Sequence, residues 1–181
     1  MNPSDCVLYS GGLRGAEATF GALAERYGIE EVNFTFDGHQ IERTRGVRTL
    51  SHAELKHGEV SLAYVAKLMH RHYPDTDYIK RVLQTIWHQV NNAQEVFVVG
   101  KVLDDDTVMG GTGWGAEFAK LCNKPVCVFD QDRNGWLRWT GTLPAYEPGK
   151  ESAKSRSIAA FPFSRSERVP VPAKCVWPIA G

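Results

Sequence analysis

Two glycine-rich segments of the chain each end in an acidic residue. Residues 10–17 read SGGLRGAE, and residues 110–117 read GGTGWGAE. Glycine turns a chain without a Cβ clash, and a helix that starts after the turn presents unpaired N–H groups that favour anions. A carboxylate in the first helical turn can hold ribose hydroxyls or act as an acid or base beside a glycosidic carbon. The two glycine-rich segments together predict a site for a phosphate-bearing ligand.

The candidate ligand-binding residues are the glycines and the polar or aromatic side chains of these segments. They are Ser10, Gly11, Gly12, Arg14, Gly15, Gly110, Gly111, Thr112, Gly113 and Trp114. Arg14 could neutralise a phosphate, and Trp114 could stack on a base. Neither segment has the spacing of a dinucleotide fingerprint or of a P-loop. The alternative interpretation is that the glycines only make tight turns and that Glu17 and Glu117 compensate helix dipoles.

Three residues outside the segments also enter the candidate site. His39 and Arg45 follow a predicted strand in an arginine-rich stretch, and Asp130 ends another. His39 could serve as a general acid, and Arg45 could belong to an anion clamp. The alternative for both is a solvated basic loop. The four cysteines are scattered without metal-ligand spacing, so no metal site is expected.

Short apolar runs alternate with segments of helical periodicity along most of the chain. Strands are predicted at 7–9, 32–36, 96–99, 126–129 and 136–139, and helices at 16–27, 59–72, 76–92 and 116–121. This alternation predicts an α/β layer fold with a parallel sheet, and both glycine segments would follow the carboxyl ends of strands. Residues 39–57 are predicted to form a long loop. Beyond residue 143, frequent prolines predict an irregular, extended C-terminal tail.

The composition indicates an ordinary globular chain. Its 181 residues suit one domain, here 1–143, plus a tail, 144–181. Lysine and arginine total 21 against 21 acidic residues, so a protein that works mainly as a polycation on nucleic acid is not expected. No apolar run reaches the roughly 20 residues of a membrane span, and the start lacks a secretory signal. We expect a cytoplasmic protein without membrane partners, and the apolar residues of the tail make a homo-oligomer plausible.

The two segments together resemble a known superfamily. Residues 110–117 resemble the GGxGTxxE signature of the SLOG, or LOG-like (lysine decarboxylase-like), superfamily. Residues 10–17 resemble the SGGxxGAD opening of its YpsA and molybdenum-cofactor carrier branch. The resemblance covers about residues 5–130. It implies a Rossmann-like three-layer sandwich with a mostly parallel sheet, whose two glycine loops bind a nucleotide or nucleotide-like ligand.

The resemblance also implies roles for individual residues. The glycines and Thr112 would contact phosphate and ribose, Glu117 would be the ribose-binding and catalytic acidic residue, and Glu17 stands where the branch has aspartate. LOG members are phosphoribohydrolases, which release a base from a nucleoside monophosphate. The sequence departs from their pattern at Trp114, where the family has threonine, and at Met109, where LOG enzymes have proline.

Three hypotheses for the function follow. The first is a nucleotide-binding protein that hydrolyses an N-glycosidic bond with Glu117 and Glu17 and requires no cofactor. The second is a non-catalytic nucleotide sensor, or a carrier of a phosphate-bearing cofactor such as molybdopterin. The third is a single-strand nucleic acid binder, which the neutral net charge makes the weakest.

Overall fold

The structure, a computed structural model, describes residues 3–141, 145–148 and 157–161, the last range as backbone only. A short 3-10 turn, Pro3–Asp5, precedes the first strand. The strands are β1 (Val7–Ser10), β2 (Glu30–Thr35), β3 (Val47–Thr49), β4 (Glu95–Gly100), β5 (Val126–Asp130), β6 (Gly135–Trp139), β7 (Tyr146–Pro148) and β8 (Ser157–Phe161). The helices are α1 (Ala16–Arg26), α2 (His52–Lys56), α3 (Glu59–Leu68), α4 (Asp77–Asn92) and α5 (Thr112–Leu121).

All of these strands belong to one sheet, in the order β3-β2-β1-β8-β4-β5-β6-β7. In this spatial order the six strands from β3 to β5 are parallel to one another, and β6 and β7 are each antiparallel to their neighbours. The predicted α/β fold with a mostly parallel sheet is confirmed. The antiparallel β5–β6 pair follows from the turn at Asn134-Gly135, because Asn134 adopts a positive φ of 49° that asparagine tolerates better than most residues.

Helices cover both faces of the sheet. Strand β4 shows the layering, because its side chains alternate between two hydrophobic clusters. Phe97 and Val99 pack in the cluster that includes α1, whereas Val96 and Val98 pack in the cluster that includes α3, α4 and α5. Strand β4 is therefore buried from both sides, as expected of a continuous apolar run in a parallel sheet.

Two short elements lie where a long loop was predicted, within residues 39–57. Strand β3 pairs with the edge of β2, and α2 follows its N-cap residue, Ser51. The Ser51 hydroxyl accepts a hydrogen bond from the backbone of Glu54, and the Glu54 carboxylate accepts one from the backbone of Ser51, which is a capping box. Elements of three and five residues are too short to give a detectable hydrophobic period, which is why the sequence analysis missed them.

The segment predicted to be an irregular tail contributes two strands to the sheet. Strand β7 pairs with β6, and β8 lies between β1 and β4. The run Ile158-Ala159-Ala160-Phe161 is uninterruptedly apolar, which fits a central strand, but the prolines and charged residues around it hid this signal. The remainder of the predicted tail lies outside the described residues. In the part of the chain that is described, no helix combines the length and apolarity needed to span a bilayer.

Candidate functional site

Both glycine segments leave the sheet at the same edge. Strand β1 ends at Ser10 and β4 ends at Gly100, and the two strands are parallel to β8 between them. The register places Tyr9 level with Val96, so β4 ends about three residues further along the sheet than β1. With strands about 4.8 Å apart and a rise of about 3.3 Å per residue, the two strand ends are about 14 Å apart. After β1 the chain continues to β2 on one side, and after β4 it continues to β5 on the other side. Ligand crevices of open parallel sheets form where successive connections diverge in this way.

The first glycine loop is closed around the side chain of Glu17. Glu17 is 1% exposed, and its Oε2 accepts a hydrogen bond of 2.6 Å from the backbone N–H of Leu13. Burial raises the pKa of Glu17 to about 8, against the smaller opposing effect of hydrogen bonds from the Leu13 and Gly11 N–H groups and the Ser10 hydroxyl. The carboxyl is therefore largely protonated at neutral pH, and it occupies N–H donors that the sequence analysis assigned to a ligand.

Asn33 of β2 forms part of the floor beneath this loop. It is completely buried, and its Nδ2 donates to Glu31 Oε1 at 2.8 Å and to the Arg45 carbonyl at 2.7 Å. Because both of these partners can only accept, they fix the orientation of the amide. Its Oδ1 lies 3.2 Å from the position that a Cβ on Gly12 would occupy. Within the described residues this buried oxygen has no hydrogen-bond partner.

Gln89 of α4 adds a second buried amide to the same floor, with its nitrogen beside Gly11. The residue is 1% exposed, its Nε2 lies 3.0 Å from the position of a Cβ on Gly11, and its Oε1 has no partner among the described residues. The sequence analysis missed both Asn33 and Gln89. The available signal was a polar side chain in an alternating strand and another on the apolar face of a long amphipathic helix, where a core residue is expected.

The second glycine loop is held by Arg71. Its Nη2 donates to Thr107 Oγ1 at 3.1 Å and to the Val108 carbonyl at 3.0 Å, and its Nη1 donates to the Gly110 carbonyl at 3.2 Å. A Cβ on Gly113 would overlap the Val108 carbonyl oxygen and lie 2.8 Å from Arg71 Nη1. Gly113 is therefore required by packing. Arg71 falls within the helix predicted over 59–72 and was not among the candidate site residues.

Gly111 differs from the other glycines of the loop. Its φ of −62° is accessible to any residue, and a Cβ built there would meet no atom of the described residues within 4 Å. Gly110, in contrast, has a φ of 76°, which favours glycine. Neither backbone strain nor packing against the described residues calls for a glycine at position 111, at the start of α5.

Glu117 is engaged by a neighbouring cation. Its Oε1 accepts a hydrogen bond of 2.6 Å from Lys120 Nζ, and the two side chains are 13% and 9% exposed. Lys120 also donates to the Asp106 carbonyl at 2.7 Å and lies 4.1 Å from the ring centre of Trp139. Glu17 and Glu117 lie on α1 and α5, which cover opposite faces of the sheet. The structure thus gives the two predicted catalytic residues separate surroundings.

Three further residues of the candidate loops have different environments. Trp114 is 6% exposed and packs in the hydrophobic core, with its ring centre 5.9 Å from that of Tyr73. Thr112 is buried at the start of α5. Arg14 is exposed, and its Nε lies 3.8 Å from Glu42 Oε2. Trp114 therefore does not present an open ring face for stacking, whereas the Arg14 side chain is accessible.

The structure does not bring His39, Arg45 and Asp130 together at one site. His39 Nδ1 lies 3.1 Å from Thr35 Oγ1, its ring stacks on Phe36, and burial lowers its pKa. Arg45 Nη1 lies 3.8 Å from the buried Glu31 carboxylate. Asp130 Oδ1 accepts the backbone N–H groups of the two residues that follow Gln131, at 2.9 and 3.1 Å, and so closes the turn after β5.

In residues 3–141, 145–148 and 157–161, no group of three or more His, Cys, Asp or Glu side chains is placed to hold a metal ion. Comparison of the chain with models of protein families, with curated proteins and with solved structures finds no match. The function of the chain must therefore be inferred from the geometry of the candidate site.

Proposed function

We propose that the protein binds a nucleotide, or a nucleotide-like phosphate ligand, across the crevice between its two glycine loops. The observation that carries the proposal is that both loops lie at the same edge of the sheet, with the buried polar side chains of Asn33, Gln89 and Glu17 beside the first loop. Buried polar atoms are normally hydrogen-bonded, so the two unsatisfied amide oxygens indicate a missing polar partner.

The phosphate group is assigned to the second loop. The start of α5 is the positive end of a helix dipole, which favours an anion. The N–H groups of Gly113 and Trp114 in its first turn donate to the carbonyls of Gly110 and Gly111, at 3.3 and 3.1 Å, so the dipole rather than these two groups supports the assignment. The absence of a side chain at Gly111 leaves this helix start open to close approach. Arg71, which bonds the carbonyl of Gly110, adds positive charge beside it.

We propose hydrolysis of an N-glycosidic bond as the reaction. Water adds to the anomeric carbon, the bond from that carbon to the base nitrogen breaks, and the base leaves with the electron pair. Glu17 suits the role of general acid, because its raised pKa keeps a proton available at neutral pH for the departing nitrogen. In this proposal Glu117 stays paired with Lys120 and supports the second loop.

A second candidate function is non-catalytic binding, as a nucleotide sensor or as the carrier of a phosphate-bearing cofactor such as molybdopterin. The observation that favours it is that both acidic residues are already engaged. Glu117 is held by Lys120, and Glu17 accepts backbone hydrogen bonds within its own loop. Neither carboxyl is poised as an ionised base to activate water.

The two candidates are separated by measuring stabilisation and turnover on the same samples. Thermal denaturation with AMP, GMP and inorganic phosphate reports binding, and chromatography reports released base. The reaction predicts that Glu17→Gln abolishes base release while AMP still stabilises the fold. Glu59→Gln, on the exposed side of α3, is the matched control and should behave as wild type. Stabilisation by AMP without any base release supports the sensor or carrier, and no stabilisation by any of the three compounds rejects both candidates.

A further inference from the structure

Helix α3 is apolar on two faces, and the described part of the chain covers one of them. The covered face consists of Leu62, Val65 and Ala66, which are buried in the hydrophobic core. On the other face Val60, Tyr64 and Leu68 are 83%, 52% and 48% exposed. A helix that is apolar all round is normally buried on every side, so the second face requires a partner.

The exposed side chains of α3 form one continuous ridge. Positions 60, 64 and 68 are four residues apart, so Val60, Tyr64 and Leu68 follow one another over about 12 Å of the helix surface. We call these three side chains the outer ridge. The other exposed large apolar side chains of the described residues lie on different elements, at Tyr27, Val47, Tyr78, Ile79 and Leu121. A contiguous apolar patch is typical of an interaction surface, whereas single exposed apolar residues are not.

We infer that the outer ridge is the surface through which two copies of the chain form an antiparallel dimer. The inference is independent of the proposed nucleotide site, and it places the homo-oligomer expected from the sequence on α3 instead of on the tail. Ridges of residues four apart pack into one another at a helix crossing angle of about −50°. A two-fold axis requires a patch that is complementary to itself, and rotation about Tyr64 exchanges Val60 with Leu68.

The row of side chains beside the outer ridge favours a second copy as the partner. This row contains Glu59, Ala63 and Lys67, again four residues apart, and both charged residues are exposed. In an antiparallel pair Glu59 of each copy lies opposite Lys67 of the other, and the small Ala63 leaves room for the Tyr64 ring of the other copy. Ion pairs at the rim of an interface add little affinity, but they fix the direction in which the helices pair.

Leu121 of α5 extends the apolar surface at the end where α3 begins. Phe118, one turn earlier in α5, stacks on Trp87 with ring centres 6.3 Å apart, and Trp87 packs against Gly58, which precedes α3. Leu121 is 41% exposed. The combined surface is smaller than the roughly 800 Å² per partner of standard complexes, so we expect a concentration-dependent dimer with a Kd on the order of 10 μM.

Sedimentation equilibrium of the full chain between about 1 and 500 μM tests the inference. The wild type should pass from monomer to dimer over this range. Val60→Lys adds a charge at the most exposed position of the outer ridge, so it should leave the fold intact and raise the Kd of the dimer at least about tenfold. Ile79→Lys adds the same charge at an exposed apolar residue of α4, and this matched control should dimerise as the wild type does.

Two further variants test the antiparallel arrangement. Lys67→Glu should weaken the dimer because it brings two carboxylates together at each end, and adding Glu59→Lys should restore the dimer by reversing the pair. Ala63→Cys should form a disulfide between copies on oxidation, since position 63 lies beside the two-fold axis. Ala18→Cys, at a half-buried alanine of α1, keeps the native cysteines and should not form this cross-link.

The outcomes decide between a second copy and any other cover for α3. A chain that stays monomeric up to about 500 μM overturns the inference, because another segment of the chain or a different protein would then cover the outer ridge. A dimer that Val60→Lys leaves unchanged overturns the assignment to α3. A dimer that Glu59→Lys does not restore, or that Ala63→Cys does not cross-link, overturns the antiparallel pairing. AMP binding is measured separately, and its failure would reject the proposed function without bearing on the dimer.

Discussion

Replacing two glycines of the second loop by alanine separates packing from ligand binding. At Gly111 the backbone angles, φ −62° and ψ −34°, are helical, and a Cβ would meet nothing within 4 Å in the part of the chain that the structure describes. At Gly113 the same methyl group would overlap the Val108 carbonyl and come within 2.8 Å of Arg71 Nη1. The two substitutions add an identical group two positions apart, one into open space and one into packed backbone.

The expected changes in stability have opposite signs. Alanine at a glycine position with compatible angles restricts the unfolded chain, so Gly111→Ala should leave the free energy of unfolding unchanged or raise it by up to about 1 kcal/mol. Gly113→Ala should lower it by about 1–3 kcal/mol, because a carbonyl oxygen cannot rotate away as a side chain would. For a chain of this size, about 1 kcal/mol corresponds to a shift of roughly 2–4 °C in Tm.

Gly111→Ala should weaken ligand binding although it does not destabilise the fold. A saturating ligand at about 100 times its Kd stabilises the folded state by about 2.7 kcal/mol. Gly111→Ala places a methyl group where the phosphate would contact the start of α5, so most of this ligand-induced stabilisation should disappear from a variant that is otherwise as stable as the wild type. Urea titration gives the free energy of unfolding, and thermal denaturation with and without AMP gives the ligand effect.

Two results would refute this reasoning. If Gly111→Ala is as destabilising as Gly113→Ala, the second loop is packed differently from the structure described above. If Gly111→Ala is stable and responds to AMP as the wild type does, the phosphate does not lie at Gly111, and the assignment of the second loop fails.

Three further predictions concern the side chains of Glu17, Lys124 and Lys120. As pH rises from 4.5 to about 8, the free energy of unfolding of Glu17→Gln should increase relative to that of the wild type. The reason is that the carboxyl of the unfolded wild type ionises in this window while the folded one stays protonated, and urea titrations across the range measure the difference. Lys124→Met should lower the free energy of unfolding by about 1–3 kcal/mol, since Lys124 Nζ donates to three carbonyls at the end of α4, a loss measurable by urea titration. Lys120→Met should cost about 3 kcal/mol by leaving the Glu117 carboxylate without its cation, again measured in urea.

Each of these predictions has an internal control. For Glu17, a stability difference that does not change between pH 4.5 and 8 would contradict the raised pKa. For Lys124, substitution of the exposed Lys56 by methionine should have little effect, and equal losses at both positions would argue against the helix-end role. For Lys120, adding Glu117→Gln to Lys120→Met should restore part of the lost stability, and full additivity would show that the pair is not coupled.

The placement of the two loops was predictable from the sequence because it depends on local pattern. The apolar runs before Ser10 and Gly100 gave the parallel strands, and the glycines that follow gave the turns into helices, so the common edge of both loops followed from the fold class. These features depend on backbone conformation and hydrophobic period, which neighbouring residues determine.

Only the tertiary structure decided which polar groups meet. It placed β8 between the two loop-bearing strands, brought Asn33 and Gln89 beneath Gly11 and Gly12, and buried Trp114 in the core. The sequence could not show these contacts, because they join residues far apart in the chain. Strand order and the face on which each helix packs determine them, and no local pattern encodes either.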